Sequence, residues 1–322
     1  DVYKRQNLIR SHSCGIGEPM ENRHTLMMML IRANTLCRGN SGARPTIVDT
    51  LISMINHGIC PVIPRIGSLG ASGDLAPLSH LALGMMGEGE CNIRNETGEW
   101  SSLPSIEALG KYGITPIVPA AKEGLSLING TSQMCAFMCE ALYNLDILCF
   151  ASDASVACTV EAIRGSHKPF DPRIHNSRPH PGQTLSAARI SSLLENSEIK
   201  ISHLNCDRVQ DAYSIRCSPQ VHGPVIDMLR ESRRILEIEI NSSTDNPLVF
   251  TEGGSTEVIS GGNFHGQYIA LSSDSISIAC HELASISERR INQILDPKWS
   301  GQSAFLANNC LLYTSDAADD QL

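Results

Sequence analysis

The spacing of apolar residues constrains this chain most, because it recurs at three- and four-residue steps over long stretches and alternates in twos almost nowhere. Between Glu18 and Arg38 the residues Leu26, Met29, Leu30, Ala33 and Leu36 form one stripe, with Gly39 just past the end as a stop. A second helix is predicted after Pro45-Thr46, running through Ile47, Leu51, Ile52 and Ile55 to His57-Gly58. Asp74 to Met86, Glu123 to Phe150, Val221 to Ile240 and Gly266 to Ile294 read as further helices. The last carries Leu271, Ile276, Ile278, Leu283, Ile286 and Ile291. Only Pro247 to Phe250 and Glu257 to Ile259, flanking Glu252-Gly253-Gly254, suggest a hairpin. The expected fold class is therefore all-α (mainly α), a long-helix bundle with one small hairpin and a loop-rich N-terminal part.

With 322 residues and 42% hydrophobic content the chain can bury a core for one large domain or two ordinary ones. A formal charge of -9 without any Lys/Arg cluster gives a polyanion nothing to grip, so no nucleic-acid partner is expected. No run approaches the roughly 18 to 20 uninterrupted apolar residues of a membrane span, and the N-terminus shows no signal pattern. A soluble, cytoplasmic protein without a membrane partner is the expectation. Its 12 cysteines contain no Cys-x-x-Cys pair, and Cys135 and Cys139 lie one helical turn apart in an apolar run. They read as buried thiols rather than zinc ligands, and no metal is expected.

The two ends differ in character from the rest. Asp1 to Gln6 can be written in the codons GAT GTG TAT AAG AGA CAG. The reverse complement, read one base in, encodes Cys-Leu-Leu-Tyr-Thr-Ser, the sequence at 310–315. This resembles a transposon-type sequencing adapter flanking an insert in opposite orientations, continued by the Asp-Ala-Ala-Asp stretch at 316–319; the alternative is two ordinary frayed termini. The expected organisation is 1–6 adapter-derived, 7–205 an N-terminal part, 206–309 part of a central helical bundle, and 310–322 adapter-derived, with the native segment cut at both ends.

One loop carries distinctive chemistry: Gly67-Ser68-Leu69-Gly70-Ala71-Ser72-Gly73-Asp74-Leu75-Ala76-Pro77-Leu78. It resembles the signature of the histidine and phenylalanine ammonia-lyase family, and the resemblance covers nearly all of 7–309. The family's fold is a bundle of the ammonia-lyase/fumarase-like type. The resemblance implies that Ala71, Ser72 and Gly73 cyclise and lose water to form methylidene-imidazolone, with no external cofactor. Ring closure brings the Gly73 amide nitrogen to the Ala71 carbonyl carbon, which a residue without Cβ permits most cheaply. Loss of the Ser72 hydroxyl then leaves an electron-poor exocyclic carbon that ordinary side chains cannot provide. Alone, Ala-Ser-Gly would read as a glycine-rich turn before a helix N-capped by Asp74.

Further segments match the family. Lys122-Glu123-Gly124-Leu125-Ser126-Leu127-Ile128-Asn129-Gly130-Thr131 implies that the Asn129 amide lies near the ring and substrate; without that context Asn129 reads as a helix-interrupting cap. Asn205 to Cys217 matches the substrate-binding segment, in which Gln210, Tyr213 and Arg216 recur every three residues and would share a face on a helical turn. Arg216 has the planar fork that holds an α-carboxylate in two hydrogen bonds. The resemblance gives Tyr213 a catalytic place and makes Tyr213 and Gln210 partners of the prosthetic group and substrate; otherwise they read as a polar surface stripe. Gly261-Gly262-Asn263-Phe264-His265-Gly266 matches the segment whose Phe lines the pocket, against ordinary core packing for Phe264.

Substrate choice must come from the ring-binding end, since ammonium and carboxylate are common to all candidates. Family members acting on histidine look like Ser-His where this chain has Ser11-His12; His12 can exchange a hydrogen bond with an imidazole, whereas Leu suits an apolar ring edge. Ser132 departs from that pattern, because histidine enzymes usually carry Gln there. The implied activity is non-oxidative deamination of L-histidine to urocanate by a homotetramer that builds each active site from several subunits. The family's proton-abstracting Tyr falls upstream of residue 7 and its ring-side carboxylate downstream of 309, so this polypeptide by itself is expected to be inactive. A tyrosine or phenylalanine lyase, an aminomutase, and an inactive helical interaction module are the alternatives. The Gly-Ser-Ser-x-Met-Pro-x-Lys signature of a fumarase-like lyase is absent.

Overall fold

The computed structural model describes residues 2–202, 209–303 and 306. In chain order come α1 (Val2–His12), β1 (Ile16–Pro19), α2 (Asn22–Cys37), α3 (Pro45–Asn56), β2 (Ile59–Pro61), β3 (Pro64–Ile66), α4 (Leu75–Met85), β4 (Glu90–Arg94), β5 (Trp100–Pro104), α5 (Ser105–Lys111), α6 (Glu123–Ile128) and α7 (Ser132–Ala162). After a 3-10 turn at Lys168–Phe170 follow α8 (Pro172–Asn176), α9 (Pro181–Leu193), α10 (Glu198–Ser202), α11 (Tyr213–Arg216), α12 (Ser218–Ile240), β6 (Leu248–Glu252), β7 (Ser255–Ile259), α13 (Gln267–Leu295) and α14 (Pro297–Ser300). The class is mainly α, as the apolar periodicity requires. The chain divides into two units: Asp1–Ala141 with Arg233–Ser273, and Leu142–Ser232 with Asp274–Leu322. The division expected at 205/206 lies outside the described residues.

In the first unit α2 and α3 pack together and bury Met28, Met29, Leu51 and Met54, while α4 buries Leu78, Leu81 and Met85. Pro45 opens α3 with its φ already set for a helix, and α3 gives way to Gly58 at φ +62. The expected hairpin is β6 paired with β7, Leu248 opposite Ile259, turning at Gly253-Gly254. It is not the only sheet: β1 pairs antiparallel with β3, and β2, β4 and β5 form a third. These strands are three to five residues long, too short for alternation to register. Residues 16–19, whose end overlaps the helix expected from Glu18, are strand β1 instead.

The helix expected from Glu123 to Phe150 is two helices. Asn129 leaves α6 at ψ 138° and Gly130 adopts φ +137°, a region closed to residues with a Cβ. By length and composition the stretch 123–162 could cross a membrane. Besides this break, α7 carries Gln133 and Asp153 fully buried or nearly so, and both take hydrogen bonds inside their own units.

The second unit centres on Val156, Ala157, Val160, Ile163, Phe170, Ile190, Leu194 and Ile215, with Ile294 against them. The stripe expected along α13 is split: Ile276 and Leu283 are buried, but Leu271, Ile278 and Ile291 are 58%, 65% and 58% exposed. Tyr143, Ile147, Leu148 and Phe150 of α7 are likewise more than half exposed.

Candidate active site

The Ala71-Ser72-Gly73 turn lies between two left-handed glycines, Gly70 at φ +71 and Gly73 at φ +72. Ala71 and Ser72 are exposed, whereas Gly73 and Asp74 are buried. A Cβ on Gly73 would lie 2.4 Å from the Gly130 carbonyl oxygen and 2.7 Å from that of Phe264. Backbone from two distant segments therefore closes on the third residue of the tripeptide. Gly266 seals the far side, its missing Cβ replaced by Met134 Sδ at 2.6 Å and the Gly70 oxygen at 2.8 Å.

Asp74 fixes this seat. Its N–H donates to the Gly130 oxygen at 2.7 Å, and its Oδ2 accepts from the backbone N–H groups of Gln133 (2.6 Å) and Met134 (3.1 Å). Asp74 stands at the N-cap position of α4, but its side chain makes no capping bond there. It caps α7 instead, satisfying donors in the first turn where a carboxylate also meets the positive helix end. Burial raises its pKa to about 6, opposed by a hydrogen bond from the Ser68 side chain, by those backbone donors and by the charge of Arg32.

Arg32 is the hub that the sequence did not flag. It is fully buried, donates to the Ser126 and Thr244 carbonyl oxygens, and sits where a Cβ on Gly130 would lie 2.5 Å from its Nη1. Burial lowers its pKa to about 10 against the opposing pull of Asp245 and Asp74. Asp245 is itself buried and paired with Lys122 Nζ at 2.8 Å. Next to it the Asn246 carbonyl accepts Asn129 Nδ2 at 2.8 Å, and Asn246 Oδ1 accepts the Gly261 N–H at 2.7 Å. Asn129 is thus only 8% exposed and tied through Asn246 to the segment that holds Phe264. What Phe264 presents to Gly73 is its carbonyl; its side chain is half-buried. Ser132, the residue that departs from the histidine pattern, opens α7 with its hydroxyl buried and unpartnered.

His12 ends α1, with Nδ1 at 2.9 Å from the Leu8 carbonyl and 3.1 Å from Ser11 Oγ. A carbonyl only accepts, so Nδ1 is the donor here, and in the neutral ring Nε2 is the nitrogen left as an acceptor. His12 can therefore accept a hydrogen bond from a ligand, and Ser11 serves it by holding the same carbonyl at 2.8 Å.

Gln210, Tyr213 and Arg216 belong to the second unit; of the matching segment, 205–208 lie outside the described residues. Tyr213 and Arg216 share α11 and one face, the guanidinium standing 4.5 Å from the ring centroid. Gln210 precedes the helix and is exposed, so the expected three-residue stripe holds for two of its members. Tyr213 is 71% exposed, and Arg216 keeps a buried Nε without a partner. Gln210 and Arg216 line an open groove of about 1150 Å³. From beneath, Ser214 donates to Gln293 at 2.6 Å and the buried Arg290 donates to the Ser214 carbonyl at 3.4 Å. Asp211 anchors the entry by accepting the Ser166 N–H at 2.6 Å.

The cysteines divide. Cys60, Cys91, Cys135 and Cys149 are buried, and burial pushes the first two up to about 12 and about 11, which makes them inert as nucleophiles. Cys14, Cys37 and Cys158 are exposed, contrary to the expectation of uniformly buried thiols. Among the described residues no group of three or more His, Cys, Asp or Glu side chains is placed to hold a metal.

A mainly helical chain in which a buried carboxylate ties an Ala-Ser-Gly turn to the start of a long helix defines a class of lyases. The family described as aromatic amino acid lyase matches residues 3–317. A histidine ammonia-lyase of Myxococcus xanthus is 47% identical over 305 residues, 95% of this chain and 59% of that protein. The structure is similar to that of histidine ammonia-lyase from Trypanosoma cruzi, with a TM-score of 0.85 and 42% identity over 96% of this chain and 57% of the other. It is also similar to tyrosine aminomutase from Streptomyces globisporus, with a TM-score of 0.84 and 38% identity over 95% and 60% of the two chains. The chain belongs to the aromatic amino acid lyase family, and it spans about three-fifths of the length of the curated relatives it matches.

Proposed function

We propose that the full-length protein containing this chain is a histidine ammonia-lyase that releases ammonia from L-histidine and leaves urocanate. The observation that carries the reading is the seat of Gly73, where two backbone carbonyls occupy the space of a Cβ and Asp74 holds one of them in place. The residues fit a ring formed from Ala71, Ser72 and Gly73: the turn is compressed at Gly73 while Ser72 stays exposed. When formed, that ring supplies the electron-poor carbon by which an amine becomes a better leaving group.

The other residues bind and orient. Arg216 offers two parallel N–H donors to the α-carboxylate, and the Tyr213 ring, 4.5 Å from the guanidinium, holds it in place by a cation–π contact. Asn129 has one amide N–H committed to Asn246, which fixes the side chain and leaves its oxygen to accept from substrate. His12 accepts from the imidazole N–H through Nε2, a partner that a phenyl ring lacks and whose absence would leave a polar group unpaired. The exposed apolar faces of α7 and α13 support assembly of the whole protein into a homotetramer.

A second reading, a tyrosine or phenylalanine enzyme or an aminomutase, is favoured by Ser132 alone. The full-length protein offered L-histidine, L-tyrosine and L-phenylalanine separately, with the conjugated acid followed by ultraviolet absorbance, decides between them. Urocanate from histidine alone is the expected result; cinnamate, coumarate or a β-amino acid overturns it. Arg216→Lys keeps the charge and loses the fork, and is expected to lower kcat/KM by about 10- to 100-fold, mostly through KM, in the same assay.

A further inference from the structure

The segment that carries His12 reaches the prosthetic loop through one junction. After His12 the chain turns at 13–15 and enters β1, which pairs with β3, Ile16 opposite Ile66; β3 then runs straight into Gly67. Gly15 stands at the crossing. A Cβ there would lie 3.1 Å from Pro64 Cβ and 3.2 Å from His80 Nε2, and Gly15 Cα is 3.6 Å from where a Cβ on Gly67 would sit. The Gly15 N–H has a side-chain partner: it donates to His80 Nε2 at 3.2 Å. His80 lies on α4, the helix that begins immediately after Asp74 and packs against α1.

We propose that His80 is a positioning residue for the ring-binding end of the site: as a neutral imidazole it accepts the Gly15 N–H and holds the turn behind His12 against the helix that follows the prosthetic loop. The proposal rests on the reading of His12 as the residue that meets the substrate ring. Two features favour it over incidental contact. An N–H at the end of a coil segment has no ladder partner of its own, so without His80 it would be left half-buried and unpaired. The bond also requires Nε2 to be unprotonated, and burial lowers the His80 pKa, which keeps the ring in that state. The hydrogen bond of His80 goes to the Gly15 N–H and not to a residue assigned to substrate, so its effect passes through the placement of His12.

The test compares His80→Leu, which fills the space without an acceptor, with His80→Gln, whose side-chain oxygen can stand near Nε2. In the full-length protein His80→Leu is expected to raise KM for histidine about tenfold with kcat changed less than about twofold, and His80→Gln to return KM to within about threefold of the parent. Hydrogen exchange of the peptide spanning 12–19 is expected to quicken in His80→Leu and to be restored in His80→Gln. Equal losses in kcat for both variants, or unchanged exchange at 12–19 in His80→Leu, overturns the proposal. The exchange measurement needs no substrate, so it stands even if the parent fails to deaminate histidine, an outcome that sinks the functional reading instead. Should His80→Leu not fold, His80→Gln with unchanged exchange and KM still supports the acceptor role, and His80→Gln as impaired as an unfolded chain removes it.

Discussion

Gly73→Ala in the full-length protein is expected to yield a folded chain without its prosthetic group and with activity down by at least about a thousandfold. The added Cβ would sit 2.4 Å from one carbonyl oxygen and 2.7 Å from another, both backbone atoms. Neither can retreat easily. Gly130 accepts the Asp74 N–H at 2.7 Å and is itself wedged, its own Cβ position lying 2.5 Å from Arg32 and 2.9 Å from the Thr244 oxygen. Relief would have to come from the tripeptide, which moves the Gly73 nitrogen away from the Ala71 carbonyl it must attack. Gly70→Ala is the control: it shares the left-handed φ, at a cost of about 1 to 2 kcal/mol, but its Cβ meets side chains alone at ordinary contact distance, Ala270 Cβ at 3.4 Å and Met134 Cε at 3.6 Å. Intact mass reads the outcome, since cyclisation and dehydration together remove two waters. Gly70→Ala should show that deficit and Gly73→Ala should not. A Gly73→Ala chain that matures normally would mean that the carbonyl seat does not shape the tripeptide.

Much of the framework was legible in the sequence because it is built from long periodic segments. The helices of α2, α3, α4, α12 and α13 were placed to within a few residues, and the turn at Gly253-Gly254 located the hairpin. What escaped shares a physical cause: it depends on partners far away in sequence. The break at Asn129-Gly130 was hidden by apolar residues on both sides, and only the approach of Arg32 and Thr244 makes a glycine at φ +137 necessary. Asp74 looked like the cap of its own helix because its true partners, Gln133 and Met134, lie 59 and 60 positions on. The short strands β1 to β5 owe their existence to pairing rather than pattern.

The candidate site was legible by residue type, less so by role. Arg216 and Tyr213 stand out through the family resemblance and its three-residue spacing, and they do stack. Phe264 was chosen for its ring, yet what the fold uses at Gly73 is its carbonyl. Arg32 was missed although a signal existed: it lies three residues after Met29 and four before Leu36, on the stripe that the apolar periodicity assigns to the core. A charged residue on a buried stripe must have partners of its own. His80 gave no such signal, because a histidine on an apolar helix is ordinary until its acceptor atom is seen to face an N–H.

Arg32→Leu follows from that burial and is expected to carry a large stability effect. Leucine keeps the apolar part of the contact but leaves the Ser126 and Thr244 carbonyls without their donor and removes the cation facing Asp74 and Asp245. Breaking a buried ion cluster by removing one partner costs about 3 to 5 kcal/mol, so the midpoint of urea unfolding should fall with little change in slope. Arg32→Lys keeps a charge that can reach one carbonyl and not both, and is expected to lose about half as much. The origin of the loss can be separated by charge removal. Asp245 retains the Lys122 cation at 2.8 Å when Arg32 is gone, whereas Asp74 retains neutral donors alone, the Ser68 side chain and the backbone N–H groups of Gln133 and Met134. Asp74→Asn in the Arg32→Leu background should therefore recover about 1 to 2 kcal/mol, more than Asp245→Asn does, giving a positive coupling in a double-mutant cycle. Equal recovery from both, or none from either, would mean that the carbonyl bonds rather than the buried carboxylate set the cost, and that Arg32 acts on Gly130 as a brace and not as a counter-charge.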